Sequence, residues 1–154
     1  MEIRRALMSD VPAILAMARA MYRESPVLRP MLWSDERATA LIQYAIGSDD
    51  ALAIVADSGA GEAASPVGMF GGAVARHIFS DDPIAIDYVL YVDPVWRARG
   101  VGESLIRVYV DWARSRGARL VQAGVTSGIN TDDAVRLYES LGFRVTGKHL
   151  TKEV

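Results

Sequence analysis

Apolar and polar positions alternate weakly over residues 2–7, which suits a first strand. Ser9 or Asp10 then stands where a helix cap belongs, with Pro12 in the first turn of an apolar-periodic run to about Tyr22. Pro26 and Pro30 interrupt the next stretch, and Ser34, Asp35 and Glu36 mark the start of a second helix ending near Gly47. Residues 51–57, 67–77 and 84–92 form apolar runs bounded by Gly, Asp, Ser and Pro, and read as antiparallel strands. From Val101 to Arg116, Leu105, Ile106, Val108, Tyr109 and Trp112 recur at helical spacing until Gly117 ends the helix. A strand over 119–126, a helix over 131–141 and a last strand or hairpin arm over 143–151 complete the order β-α-α-β-β-β-α-β-α-β. This is an α/β (α+β) pattern: a mostly antiparallel, mixed central sheet flanked by helices.

Composition narrows the function classes. The 154 residues fit one domain, 1–154, and a hydrophobic share of 51% is enough to build a core without metals or disulfides. A formal net charge of −2 argues against an extended nucleic-acid footprint. With no cysteine and only 2 histidines, the chain offers no thiol nucleophile and few transition-metal ligands. The charged start, Met1 to Arg5, has the flavour of a secretory leader, but Asp10 and Pro12 interrupt the apolar stretch behind it, and no run reaches membrane-spanning length. A cytoplasmic protein with no membrane or nucleic-acid partner is the expectation. Ser58 to Pro66, rich in Gly, Ala and Ser, reads as a mobile hairpin loop.

Chemistry concentrates between the third antiparallel strand and the helix after it. Arg97-Ala98-Arg99-Gly100-Val101-Gly102 places two glycines where a strand turns into a helix. Glycine lets the backbone turn tightly and approach a ligand, and the unpaired amides of a helix start favour an anion. Arg97 and Arg99 bring positive charge, so the segment suits a pyrophosphate held mainly by main-chain groups. It is neither a P-loop, which needs Gly-x-x-x-x-Gly-Lys-Ser/Thr, nor a dinucleotide fingerprint, because Leu105 stands where the third glycine would be.

The lead-in Leu90-Tyr91-Val92-Asp93-Pro94, the loop Arg97 to Gly102 and the downstream run Ala134-Val135-Arg136-Leu137-Tyr138-Glu139-Ser140-Leu141-Gly142-Phe143 together resemble the two signatures of the GNAT N-acetyltransferases. The predicted element order resembles that family's acyl-CoA N-acyltransferase fold along essentially the whole chain. The resemblance implies an acetyl-CoA-dependent N-acetyltransferase that releases CoA after direct attack by an amine of a small molecule or a protein. It implies that main-chain groups of Leu90, Tyr91 and Val92 hold the pantetheine arm. Arg97, Ala98, Arg99, Gly100, Val101, Gly102, Glu103 and Ser104 would hold the pyrophosphate. Tyr138 would contact the cofactor and protonate the departing thiolate as the catalytic acid.

Two positions depart from the family pattern. Where many relatives carry an asparagine at the start of the last helix this chain has Thr131, with Asn130 one residue earlier as a cofactor contact or a helix cap. Counting back from the loop, the strand position that often bears a glutamate is Ile86, and the adjacent Asp87 would need a β-bulge to face the same way. Ordered water, relayed by Tyr88 or by a carboxylate such as Glu24, is therefore the expected route for the amine's proton. The acceptor should meet the segment Met21 to Trp33, with Met31, Leu32 and Trp33 as candidate lining, and the strand ends near Ser127 and Gly128. No metal is expected, and the sequence leaves a homodimer open. A CoA-binding regulatory module without catalysis, or an antitoxin-like partner protein in which the fold is structural, are the readings that compete.

Overall fold

The computed structural model describes residues 1–59 and 65–154, so most of the Ser58 to Pro66 loop lies outside the described residues. Five strands form one sheet in sequence order: β1 (Glu2–Arg5), β2 (Ala51–Asp57), β3 (Pro66–Arg76), β4 (Pro83–Val92) and β5 (Leu120–Gln122). The first four pair antiparallel, and β5 joins β4 in parallel. Helices α1 (Val11–Glu24) and α2 (Asp35–Gly47) connect β1 to β2, α3 (Val101–Ser115) connects β4 to β5, and α4 (Thr131–Ser140) follows β5.

Each face of the sheet has its own core. Ile14 and Met17 of α1 pack with Val55, Met69 and Tyr91 on one side. On the other, Val101, Leu105, Ile106, Tyr109 and Ala113 of α3 cover Leu52, Phe70 and Ala85, and Tyr138 of α4 joins them. Their spacing along α3 is the apolar stripe of an amphipathic helix, while Val108 turns outward at 39% exposure. Asp10 does not cap α1 with its side chain. Instead it accepts from the Leu7 amide at 2.7 Å, and Arg4 bridges it to Asp57 with contacts of 2.7 Å to each carboxylate, tying β1 to the entry of α1 and the end of β2.

The sequence pattern fails at the far edge of the sheet. The strand expected over 119–126 pairs only as Leu120–Gln122, because β5 turns away from β4 after the Ile86 to Gln122 pair. No strand forms over 143–151. Val145 and Leu150 are exposed and nothing pairs this stretch to β5, so its apolar alternation finds no buried face to occupy.

The β3–β4 pairing contains an irregularity that sets the site. Gly71 stands opposite Val89 but Gly72 stands opposite Asp87, leaving Tyr88 as an extra residue in β4. This is a β-bulge, and it reverses which face the later residues occupy. The two glycines differ sharply. A Cβ on Gly72 would lie 2.5 Å from Tyr109 Oη and 2.6 Å from the Ile86 carbonyl, whereas one on Gly71 would meet only Val89 and the Leu52 carbonyl at 3.4 and 3.8 Å. Gly72→Ala should therefore destabilise the fold by about 1–3 kcal/mol, the range for overpacking. Gly71→Ala should stay within about 0.5 kcal/mol of the parent, as expected for a substitution that breaks no packing or backbone feature. Urea unfolding of both variants checks the contrast.

Candidate active site

The turn into α3 is built from two residues in the left-handed region, Ala98 at φ 57° and Gly100 at φ 79°. Glycine accepts that conformation freely, and the alanine carries a local strain of the kind found at binding loops. Gly100 is the N-cap and supplies no side chain to accept from the first amides of the helix. Ser104 closes the first turn, its amide and its hydroxyl both donating to the Gly100 carbonyl at 3.0 Å. Glu103 pairs sideways with Arg107 at 2.8 Å. What the turn leaves available is main chain at the positive end of α3, which fits an anion such as a pyrophosphate. Arg99 lies over the Trp96 ring, 5.3 Å from its centroid. Gly102 has a second reason to lack a side chain, because a Cβ there would stand 3.1 Å from Leu137 of α4.

Arg97 is committed elsewhere. Its guanidinium forms a bidentate pair with Glu24 at the end of α1, at 2.5 and 2.7 Å, and its Nε donates to the Val92 carbonyl at 2.9 Å. It also lies over the Tyr91 ring. The Arg97 hydrogen bonds hold the Glu24 carboxyl below the usual range, which makes Glu24 a poor proton acceptor. Asp93 accepts from the Val95 amide at 2.9 Å.

From Asp87 to Val92 the edge of β4 turned away from β3 has no strand beside it among the described residues, since β5 has already diverged. Leu90, Tyr91 and Val92 lie along that edge, which is the kind of surface an extended chain joins by main-chain hydrogen bonds. At its closed end the bulge overturns the expectation for Ile86. Ala85, Leu90 and Val92 belong to the α3 side, while Val89 and Tyr91 belong to the α1 side. With Tyr88 inserted between them, Asp87 takes the facing that a regular strand would give Ile86. Its Oδ1 accepts from the Gly124 amide at 2.9 Å, a bond that takes the place of the next rung of the β4–β5 ladder.

Tyr138 arrives at the same place from α4. It is buried, with Phe143 edge-on at 5.1 Å, and its hydroxyl interacts with the Asp87 carboxyl. Burial is the main cause that raises the Asp87 carboxyl above the ordinary range, with the Gly124 amide and the Tyr138 hydroxyl opposing it. Burial, followed by the negative charge of Asp87, raises the Tyr138 phenol. A carboxyl held toward neutrality beside a phenol that keeps its proton is an arrangement able to take up and pass on a proton. Tyr109 lies behind them, and its hydroxyl has no hydrogen-bond partner among the described residues.

A family model described as the acetyltransferase (GNAT) family matches residues 15–143. The chain belongs to that family. It is 25% identical over 155 aligned positions to the L-methionine sulfoximine/L-methionine sulfone acetyltransferase of Pseudomonas aeruginosa, covering 95% of this chain and 81% of that protein. An N-acetyltransferase of Methanocaldococcus jannaschii is 37% identical, but over a stretch covering 39% of this chain and 26% of that one. A mycothiol acetyltransferase of Corynebacterium glutamicum is 41% identical over 43% of this chain and 22% of its own. The chain thus spans about a quarter of the length of these last two relatives. Among solved structures, a Trypanosoma brucei acetyltransferase superposes with a TM-score of 0.74 at 19% identity, covering 99% of both chains. An aminoglycoside acetyltransferase from a soil metagenome, solved with sisomicin, gives 0.69 at 20% identity over 99% of this chain and 95% of that one. At such identities the likeness is one of fold.

In this GNAT chain the segment expected to meet an acceptor is ordered differently from the sequence reading. Leu32 is 98% exposed and Met31 64%, so they line no closed pocket. Trp33 packs edge-on against Tyr22 and donates to Asp35, which also pairs with Arg19. The fully buried Ser25 hydroxyl donates to the Ser127 carbonyl at 2.5 Å and accepts from the Leu28 amide, locking residues 25–28 to the loop before α4. Gly128, at φ 71°, has Pro26 and Val27 each 3.0 Å from where a Cβ would stand. Asn130 adopts φ 43° and does not cap α4 with its side chain, so the capping reading does not hold. No group of three metal-ligating side chains occurs among the described residues, and none of the described helices is long and apolar enough to cross a membrane.

Asp87 is the residue that a regular-strand count misplaces. The signal that would have corrected it is the Gly71-Gly72 pair, since glycine inside a strand marks a bulge or a close approach.

The Arg97–Glu24 pair makes a stability prediction. Arg97→Ala leaves a half-buried carboxylate without its partner and should cost about 1–3 kcal/mol at neutral pH. Because the Glu24 carboxyl is lowered in the folded state, the pair contributes fully above the usual carboxylate range and its contribution is lost as pH falls through the lowered value. Urea unfolding at pH 7 and pH 3 should show the parent's advantage over Arg97→Ala shrinking at the lower pH.

Proposed function

We propose that the protein transfers the acetyl group of acetyl-CoA to the amine of a small molecule. The observation that carries this reading is the meeting of Asp87 and Tyr138 at the closed end of the β4–β5 opening, with the uncapped start of α3 at the other end. Acetyl-CoA supplies an activated thioester. The amides from Arg99 to Glu103 hold the pyrophosphate, the Ser104 amide being taken up by the Gly100 carbonyl, and the free edge of Leu90, Tyr91 and Val92 aligns the pantetheine arm. Arg97 keeps the loop in place through Glu24 and the Val92 carbonyl, so it acts as a positioning residue.

Asp87 accepts the proton that the amine gives up as its nitrogen bonds to the thioester carbonyl carbon. Tyr138 donates toward the sulfur as the carbon–sulfur bond breaks, and the proton held by Asp87 replaces the one the phenol gives. This assignment replaces the expected water relay, since the bulge places a carboxylate where the regular-strand count finds Ile86. The full-length Pseudomonas relative is named for two modified amino acids, which supports a small amine-bearing acceptor.

Asp87→Asn and Tyr138→Phe should each lower kcat by roughly 10²–10⁴-fold, the range for a lost acid or base. Their affinity for acetyl-CoA, measured by calorimetry, should stay within about twofold. Thiol release from acetyl-CoA across an amine panel reads the rates. An Asp87→Asn variant that keeps its kcat removes the carboxylate from the mechanism.

The pH dependence of stability follows from the same carboxyl. A raised folded-state value stabilises the fold only while the carboxyl is neutral, and that contribution is lost as pH rises through the raised value. Once ionised, Asp87 is therefore a burden, and the amide of Asp87→Asn can still accept from Gly124. The variant should unfold at equal or higher urea concentration than the parent at pH 7, with the difference closing toward pH 3.

A further inference from the structure

We infer that the acceptor carries an apolar side chain of three or four non-hydrogen atoms, and that the cavity between α2 and the sheet receives it. This rests on the transferase reading above. The cavity has a volume of about 50 Å³, and Ile14, Leu41, Ala45, Met69 and Val89 form its apolar walls. At 10–15 Å³ for each water-sized centre, that volume of about 50 Å³ holds about three to five heavy atoms, which takes in the side chains of valine and leucine. Its floor is Gly71, where a Cβ would meet nothing closer than 3.4 Å. No packing contact requires a glycine there, and its bare backbone is what leaves the space open.

The position of the mouth joins the cavity to the chemistry. Tyr88, the extra residue of the bulge, lines the cavity and is 46% exposed. Leu41 lines it from α2 at 48% exposure, and burial, followed by the nearby Tyr44 phenol, raises the Tyr88 hydroxyl. Asp87 is the preceding residue and faces the other side of the sheet, beside the gap that β5 leaves. An acceptor lying across the free edge of β4 has its amine in the gap at Asp87 and its side chain over Tyr88 in the cavity. The Tyr88 phenol at the rim offers a hydrogen bond to the polar remainder of the acceptor.

Leucinamide and glycinamide serve as probes, with the protein saturated with CoA for binding and supplied with acetyl-CoA for turnover. Leucinamide should shift the methyl resonances of Ile14 and Met69, glycinamide should not, and Gly71→Ala should abolish the leucinamide shifts while calorimetry shows unchanged CoA affinity. In turnover, kcat/KM for leucinamide should exceed that for glycinamide by at least about tenfold, and Gly71→Ala should reduce the ratio below about threefold with the glycinamide value unchanged. Absence of the leucinamide shifts in the parent, or their persistence in Gly71→Ala, overturns the inference whatever the turnover. Methyl shifts as described without thiol release would leave the cavity assignment standing and overturn the transferase reading.

Discussion

The bulge at Tyr88 is the constraint to which the rest of the site answers. It exists because Gly72 is pressed between the Tyr109 ring and the Ile86 carbonyl, where no side chain fits, while a Cβ on Gly71 beside it would make only ordinary contacts. The inserted residue turns Asp87 toward α3 and α4 and leaves Tyr88 on the side of α2. Once Asp87 faces that way, its carboxylate meets the Gly124 amide, and the strand that should have continued beside β4 peels off. One extra residue in one strand thus yields a half-buried acid, an unpaired edge and an opening between strands.

Most of the architecture is legible from periodicity. The two helices before β2, the three antiparallel strands and the stripe of α3 all fall where apolar spacing and turn residues put them, because each has a face to bury. The edges are not legible in this way. Residues 143–151 alternate like a strand, but alternation specifies a strand only when a partner and a core face are present. Within the site, the glycine turn and the Tyr138 helix stand out because their residue types are fixed by local geometry. The facing of Asp87 is invisible to a count along one strand, since it is decided by the cross-strand register with β3. The Arg97–Glu24 pair is hidden for a related reason. A charge near a glycine turn reads as a ligand for phosphate, and nothing local points to Glu24, which lies 73 positions away in sequence.

Charge in this molecule is used largely to fasten elements together. Arg4 holds two carboxylates at the start of the sheet, and Arg97 holds one carboxylate and one carbonyl at the base of the loop. In both cases the arginine contributes several fixed donors to acceptors on different elements, a geometry that a lysine would not reproduce. The turn into α3 presents main-chain dipoles, whose direction does not depend on the state of any side chain.

The contact between Ser25 and Ser127 has a consequence for how such a protein diversifies. Because the Ser25 hydroxyl is fully buried against the Ser127 carbonyl, and Gly128 sits under Pro26 and Val27, the two loops flanking the opening share a single interface. Neither loop can be remodelled alone. A new acceptor preference gained by altering residues 25–28 has to be matched by a change at 127–128, so the two segments drift as a unit and inheritance of one without the other breaks the site.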